Sequence, residues 1–162
     1  MPQANYPVGN PAAVPGMLKD NDGIIVETWA AAVAIPFGLG VEMDATGTKV
    51  QLPLGAGTTS PLFRGISLWD DMDEPGGYQI GDAVRVLRRG RIAVTVDGAT
   101  TVAATDTGLA AGLDHSSTLA ADRGKFSKTA LNGVAGTEIS DVNVKWAGVA
   151  GANMAWVEIN TP

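Results

Sequence analysis

Two residue types are almost missing from this chain. It has no cysteine and one histidine, His115. Without cysteine there can be no disulfide, no thiolate metal ligand and no cysteine nucleophile. Synthesis in a cytosol is compatible with that absence, though not required by it. Charge is scarce as well. Only 17% of residues are Asp, Glu, Lys or Arg, against roughly 25% in an average globular chain. What charge there is leans acidic, 17 residues against 11 basic, for a net −6. That argues against a nucleic-acid partner held by a basic field. Long apolar runs are lacking too. The most apolar stretch, Thr28 to Val41, is cut by Pro36, Gly38 and Gly40 and is too short to span a bilayer. The opening MPQANYPVGNPAAVPG has neither a cationic start nor an apolar core, so it does not read as a secretory signal. No direct contact with nucleic acid or membrane is expected.

Glycine, by contrast, is abundant. It supplies 21 of the 162 residues, nearly twice the usual ~7%. Sparse charge with frequent glycine punctuation suits an all-β domain with many turns. It suits a surface partly covered by partners equally well. The length fits one domain with a single sizeable core, and no tandem repeat of useful period is present.

Taken in order, Met1 to Asp22 contains Pro2, Pro7, Pro11 and Pro15. Proline removes backbone donors and blocks helix interiors, so 1–22 reads as an extended arm and 23–162 as a single β domain. The arm is either a loose terminus or a strap over a neighbouring subunit, anchored by Tyr6, Val8, Val14, Met17 and Leu18. The β-branched and aromatic run from Gly23 to Trp29 predicts a strand. Leu39 to Asp44 and Lys49 to Leu54 predict a hairpin turning at Ala45-Thr46-Gly47, with Val50 and Leu52 inward and Lys49 and Gln51 outward. Phe63 to Trp69 predicts another strand, leading into an acidic loop, Asp70 to Glu74. Asp97 to Phe126 is rich in small residues without clean periodicity. It is expected to be a long loop, with a short strand at Val102 to Thr105 and a helical turn near Leu119 to Ala121. Val142, Val144 and Trp146 predict a strand that Gly148 and Gly151 end. A last strand places Ala155, Val157 and Ile159 on one face and Trp156 and Glu158 on the other, and Trp146 is expected to close the core with one of these faces.

The sharpest punctuation lies between Phe63 and Val96. Val84 and Val86 alternate with Arg85, then Arg89-Gly90 intervenes, then Ile92, Val94 and Val96 alternate with Ala93 and Thr95. Period-two alternation around a glycine-containing gap predicts an antiparallel hairpin with Arg88 and Arg89 at its tip. The same block carries a family likeness. Phe63, Gly65 and Ile66, then Tyr78, Gly81 and Asp82, then Val84, Val86, Leu87, Gly90, Arg91 and Ile92 form an ordered set that resembles the phage head cement (capsid decoration) proteins. Ala34 to Pro53 and the closing MAWVEIN add shorter matches, for about half of the chain in all. This chain departs from that pattern in a longer Ala/Gly/Thr-rich run, Gly98 to Gly112.

The resemblance implies a virion structural protein made in the host cytoplasm. It would bind the outer surface of a phage capsid and bridge neighbouring major capsid subunits, acting as a homodimer or homotrimer. The fold expected is all-β, a small barrel or a jelly-roll-like sandwich with an extended Pro-rich N-terminal arm. Contact with capsid or sister subunits is assigned to the arm residues named above and to Arg85, Arg88, Arg89 and Arg91, the densest positive cluster of an acidic chain. The same arginines also read as charges that discourage edge-to-edge strand pairing.

Enzymatic and cofactor chemistry find little support. Asp114-His115-Ser116-Ser117 holds the letters of a hydrolytic triad, but such a relay is assembled in space, not along four adjacent residues. No nucleophile elbow and no phosphate loop occurs, and GLGVEMD lacks the helix a dinucleotide fingerprint needs. Asp70, Asp71, Asp73 and Glu74 could offer oxygen ligands to a hard cation, without the spacing of a calcium loop. A solvated acidic turn fits them as well. No enzyme, cofactor or metal is expected. Trp29, Trp69, Trp146 and Trp156 leave a second function class open, a carbohydrate-binding β module, with Trp69 as the ring expected at the surface and the others in the core.

Overall fold

The computed structural model of the chain describes residues 13–20, 23–54, 63–70, 76–97, 100–114, 120–128, 138–139 and 143–161. These residues form strands β1 Ile25–Ala31, β2 Ile35–Pro36, β3 Gly40–Met43, β4 Lys49–Gln51, β5 Phe63–Ser67 and β6 Gly77–Tyr78. They continue with β7 Ala83–Thr95, β8 Gly112–Asp114, β9 Phe126–Ser127, β10 Glu138–Ile139, β11 Val144–Gly151 and β12 Met154–Asn160. The main sheet runs β1-β4-β3-β5-β7-β12-β11, and β1 also pairs with β7. Strands β1, β4, β3, β5 and β7 therefore close on themselves as a five-stranded barrel, the first of the two expected forms. Closure leaves these strands without a free edge.

The β3–β4 hairpin forms where its turn residues put it. Glu42 faces Gln51 and Met43 faces Val50. Asp44 Oδ1 accepts the Thr48 and Lys49 amides at 3.0 Å each, and its Oδ2 accepts the Thr46 hydroxyl at 2.6 Å. The Thr46 hydroxyl and these amides hold the Asp44 carboxyl below its usual range. Val50 is buried as expected, but Gln51 is buried too, against expectation. Its side-chain amide donates to Glu42 Oε1 at 3.4 Å, so both faces of this short strand are covered.

The hairpin expected at Arg88 to Gly90 does not exist. Ala83 to Thr95 is one 13-residue strand, and its two halves pair with different partners. Residues 83–89 pair with β1, and residues 89–95 pair with β12. Opposite Ile25 and Val26 the register skips one residue, Arg88. Such a bulge shifts the side-chain phase by one and bends the strand. Val84 and Val86 face the barrel interior, whereas Leu87, Ile92 and Val94 belong to a second core outside it. Gly90, at φ +136°, sits at the same corner. The bend is sharp. Val86 pairs with Ser67, the Gly38 amide donates to the Ser67 carbonyl, and the Thr95 amide donates to the Gly38 carbonyl. A straight strand would hold Val86 and Thr95 about 30 Å apart, yet only the backbones of Ser67 and Gly38 lie between them. The glycine reverses the chain as a corner, not as a two-residue turn.

Two cores result. The barrel interior holds Ala31, Ile35, Phe37, Val41, Val50, Tyr78, Val84 and Val86. Phe37 and Tyr78 meet edge to face at 5.3 Å between ring centroids. The outer core packs Ile66, Leu68 and Leu87 against Trp146, Ala155, Val157 and Ile159, with Leu113 and Phe126 closing it. Of the two faces of the last strand, it is Ala155-Val157-Ile159 that meets Trp146. β11 does not end at Gly148: it passes through that residue at φ +128° and shifts register twice against β12. The described residues of the long segment before it hold more regular structure than expected. β8 pairs with β9 and β10, and a 3-10 turn covers Ala120–Asp122. The short strand expected at Val102 to Thr105 is instead a 3-10 turn, Ala104–Asp106. There Asp106 Oδ2 accepts the Ala103 amide at 2.6 Å and pairs with Lys128 at 2.8 Å, contacts that favour a turn over a ladder.

Candidate interaction surface

Tyr6 and Val8 lie outside the described residues, so Val14, Met17 and Leu18 carry what is visible of the arm. Residues 16–19 run antiparallel to the second half of β7, on the flank opposite β12. The Gly16 amide donates to Ala93 O at 2.8 Å, the Ala93 amide to Met17 O at 2.9 Å, and the Lys19 amide to Arg91 O at 2.9 Å. Leu18 bridges Ile92 and packs on the outer core. The Trp69 amide donates to Gly16 O at 2.9 Å. Gly16 is needed for that approach, since a Cβ there would stand 2.4 Å from the Trp69 nitrogen at φ +81°. Val14, just before this join, is exposed.

The four arginines divide. Arg85 and Arg89 are exposed, with no ion-pair partner among the described residues. Arg91 is half exposed, 3.2 Å from Glu158 and 3.7 Å from Asp20. Arg88 is turned inward. Its Nη1 lies 2.7 Å from Glu27 Oε1 and its Nε donates to Thr161 Oγ1 at 3.1 Å. Glu27 is the centre of this cluster, which joins the first and last strands of the barrel closure. Its Oε2 takes Arg64 Nη2 at 2.7 Å and Trp29 Nε1 at 3.0 Å, while Arg64 lies over the Trp29 ring. Burial opposes ionisation of Glu27. The hydrogen bonds from Trp29 and Arg88 and the charges of Arg64 and Arg88 outweigh it, holding the carboxyl below its usual range. Sequence reasoning missed Glu27, and its only local signal is a lone acid in an otherwise apolar strand.

The barrel has a second, unlike end. β1 and β4 are parallel and finish there. β5 finishes there also, and β3 and β7 begin there. Val33 follows β1, Leu54 follows β4, Trp69 follows β5 and Ile80 precedes β7, with Val14 joined to Trp69 through Gly16. Their exposures are 37% for Val33, 53% for Leu54, 44% for Trp69, 72% for Ile80 and 38% for Val14. Among the described residues only Ile25, Leu109 and Val149 are large, apolar and comparably exposed elsewhere. Trp69 is the surface ring the sequence pointed to. Trp146 is buried, Trp29 packs under Arg64, and Trp156 lies 5.7 Å from the Lys19 ammonium. Val33, Leu54 and Ile80 were not singled out by sequence. The signal for Ile80 was a branched aliphatic inside the turn run Gln79-Ile80-Gly81-Asp82.

Among the described residues no group of three or more His, Asp or Glu side chains is placed to hold a metal ion. His115, Asp71, Asp73 and Glu74 lie outside them.

The architecture is that of a small closed β-barrel, extended by a hairpin along one bent strand. The family described as "Structural cement protein (E217 gp24/Pam3 gp6)" matches residues 2–160, and the chain belongs to that family of phage structural proteins. It is therefore a capsid-associated virion protein with a stabilising, structural role. The fold also matches a chain in a solved structure described as "The capsid of Myoviridae Phage XM1", with a TM-score of 0.74 and 21% identity over 99% of this chain and 98% of that one. At that identity the likeness speaks for the fold alone. No curated protein matches the chain.

Proposed function

We propose that this protein binds the outer surface of the assembled head and bridges neighbouring major capsid subunits, as a homodimer or homotrimer whose N-terminal arm reaches a neighbour. Membership of the cement family supports the location. The observation that carries the bridging is the fastening of residues 16–19 to β7, which anchors a proline-rich segment at a defined exit point, Ala13. An anchored arm of about a dozen residues spans tens of ångströms when extended. Arg85 and Arg89 offer further contacts to acidic neighbours, whereas Arg88 serves the barrel itself. Each contact need contribute only a little, at about 25 cal/mol per Å² of apolar surface. Repetition by symmetry and multivalent attachment raise the total.

The test is co-sedimentation with heads assembled without this protein. Full-length protein should pellet with the heads. A variant lacking residues 1–12 should fold normally, because the β7 contacts begin at Gly16, and should pellet less. Equal pelleting by the truncated form would refute the role of the arm. The second reading, a carbohydrate module, rests on the exposed Trp69 ring. It predicts a tryptophan fluorescence change with glycans that Trp69→Ala abolishes.

A further inference from the structure

The barrel's two ends differ in kind, and the difference points to an orientation on the head. One end carries the Glu27, Arg64 and Arg88 cluster and the polar Asp44-Thr46-Thr48 turn. The other gathers Val14, Val33, Leu54, Trp69 and Ile80, with Asp70 next to Trp69 and Asp82 two residues after Ile80 in the chain. Leaving a 72% exposed isoleucine in a turn costs solubility and adds nothing to either core. A patch of a few hundred Å² is about the largest that a typical monomer exposes, and such patches are often functional. We infer that this apolar end is the foot of the molecule: it seats on an apolar surface of the major capsid protein, and the polar end points away from the shell. The inference rests on the capsid-binding reading above and adds which face makes the contact.

Area selects this occupant over a second copy. Side chains of this size, at these exposures, present on the order of 450 Å² together, against the roughly 800 Å² each partner gives a standard stable interface. That is too little to hold a dimer by itself. It is enough for one contact among several when a molecule is also tied to the shell through its arm. The described chain begins at this same end. Ala13 and Val14 lie beside the Trp69 join, at the proposed foot.

The experiment compares Ile80→Glu, Trp69→Glu and a control away from this end, Leu109→Glu, for binding to heads assembled without this protein. Ile80→Ser replaces Ile80→Glu if the latter fails to give a native melting transition. Each binding curve is accompanied by a solution mass. The foot variants should bind at least about tenfold more weakly, because a charge or hydroxyl is placed in an apolar contact. The control should bind within about threefold of the unaltered protein, and all masses should agree. If the foot variants bind like the unaltered protein while it does bind heads, the orientation is wrong and the capsid-binding reading stands. If they change the mass and leave head binding intact, the end is covered by a second copy and the inference fails. If the unaltered protein does not bind heads, the functional reading fails and the orientation with it.

Discussion

Removing Glu27 should unlatch the barrel closure. Its carboxylate receives two guanidinium groups at 2.7 Å and an indole N–H at 3.0 Å. These partners come from β7, β5 and β1, so one side chain joins three of the five barrel strands. An exposed ion pair is worth about 0–1 kcal/mol, and breaking a fully buried one costs about 3–5. This cluster lies between. Arg88 keeps only 12% of its side chain exposed, while Glu27 and Arg64 keep 30% and 29%. After discounting for solvent, Glu27→Ala should cost about 2 kcal/mol and Glu27→Gln about 1, since the amide keeps the shape and one acceptor. The pH dependence has a definite sign. The folded carboxyl titrates below its ordinary 4.5, so its stabilisation is fully present above that pH and is lost as pH falls through the folded value. Urea unfolding of the native protein and Glu27→Gln, at several pH values from 7 to 3, measures this. The gap between them should be widest at neutral pH and shrink below about pH 4.5. A gap that is negligible at pH 7, or that stays constant down to pH 3, would refute the latch.

Three further perturbations probe the frame. Gly65→Ala should destabilise severely, by about 3 kcal/mol or more, because a Cβ there would meet Leu87 O at 2.3 Å between β5 and β7; a loss under about 1 kcal/mol in urea unfolding would contradict the close approach. Leu113→Ala empties the outer core and should cost about 2–5 kcal/mol, read by the same denaturation. It should also relieve Gly40→Ala, whose Cβ would collide with Leu113 Cδ1, so the double variant should lose less than the sum of the singles. Gly16→Ala should free the N-terminal segment while sparing the barrel, seen as faster proteolysis near residue 16 at an almost unchanged melting temperature.

What the sequence disclosed was local. The β3–β4 hairpin was legible because Asp44, Thr46 and Gly47 supply the turn from within it, and β12 because Ala155, Val157 and Ile159 alternate without interruption. β7 misled because Gly90 permits both a turn and a corner. The choice is made by β12, which comes far later in the chain and pairs only with the second half. Arg88 looked like a tip charge for the same reason, since its partner Glu27 lies on a distant strand. Gln51 looked outward because alternation does not report that Glu42 waits beside it. The apolar end was least visible of all. It depends on the parallel β1–β4 pairing, which brings together residues that no short window contains.

Heating heads assembled with and without the protein, and recording the temperature at which packaged DNA is released, tests the stabilising role directly. The account predicts release at a higher temperature from decorated heads, with the difference reduced when residues 1–12 are absent. Release at one temperature from both, with the protein demonstrably bound, would contradict it.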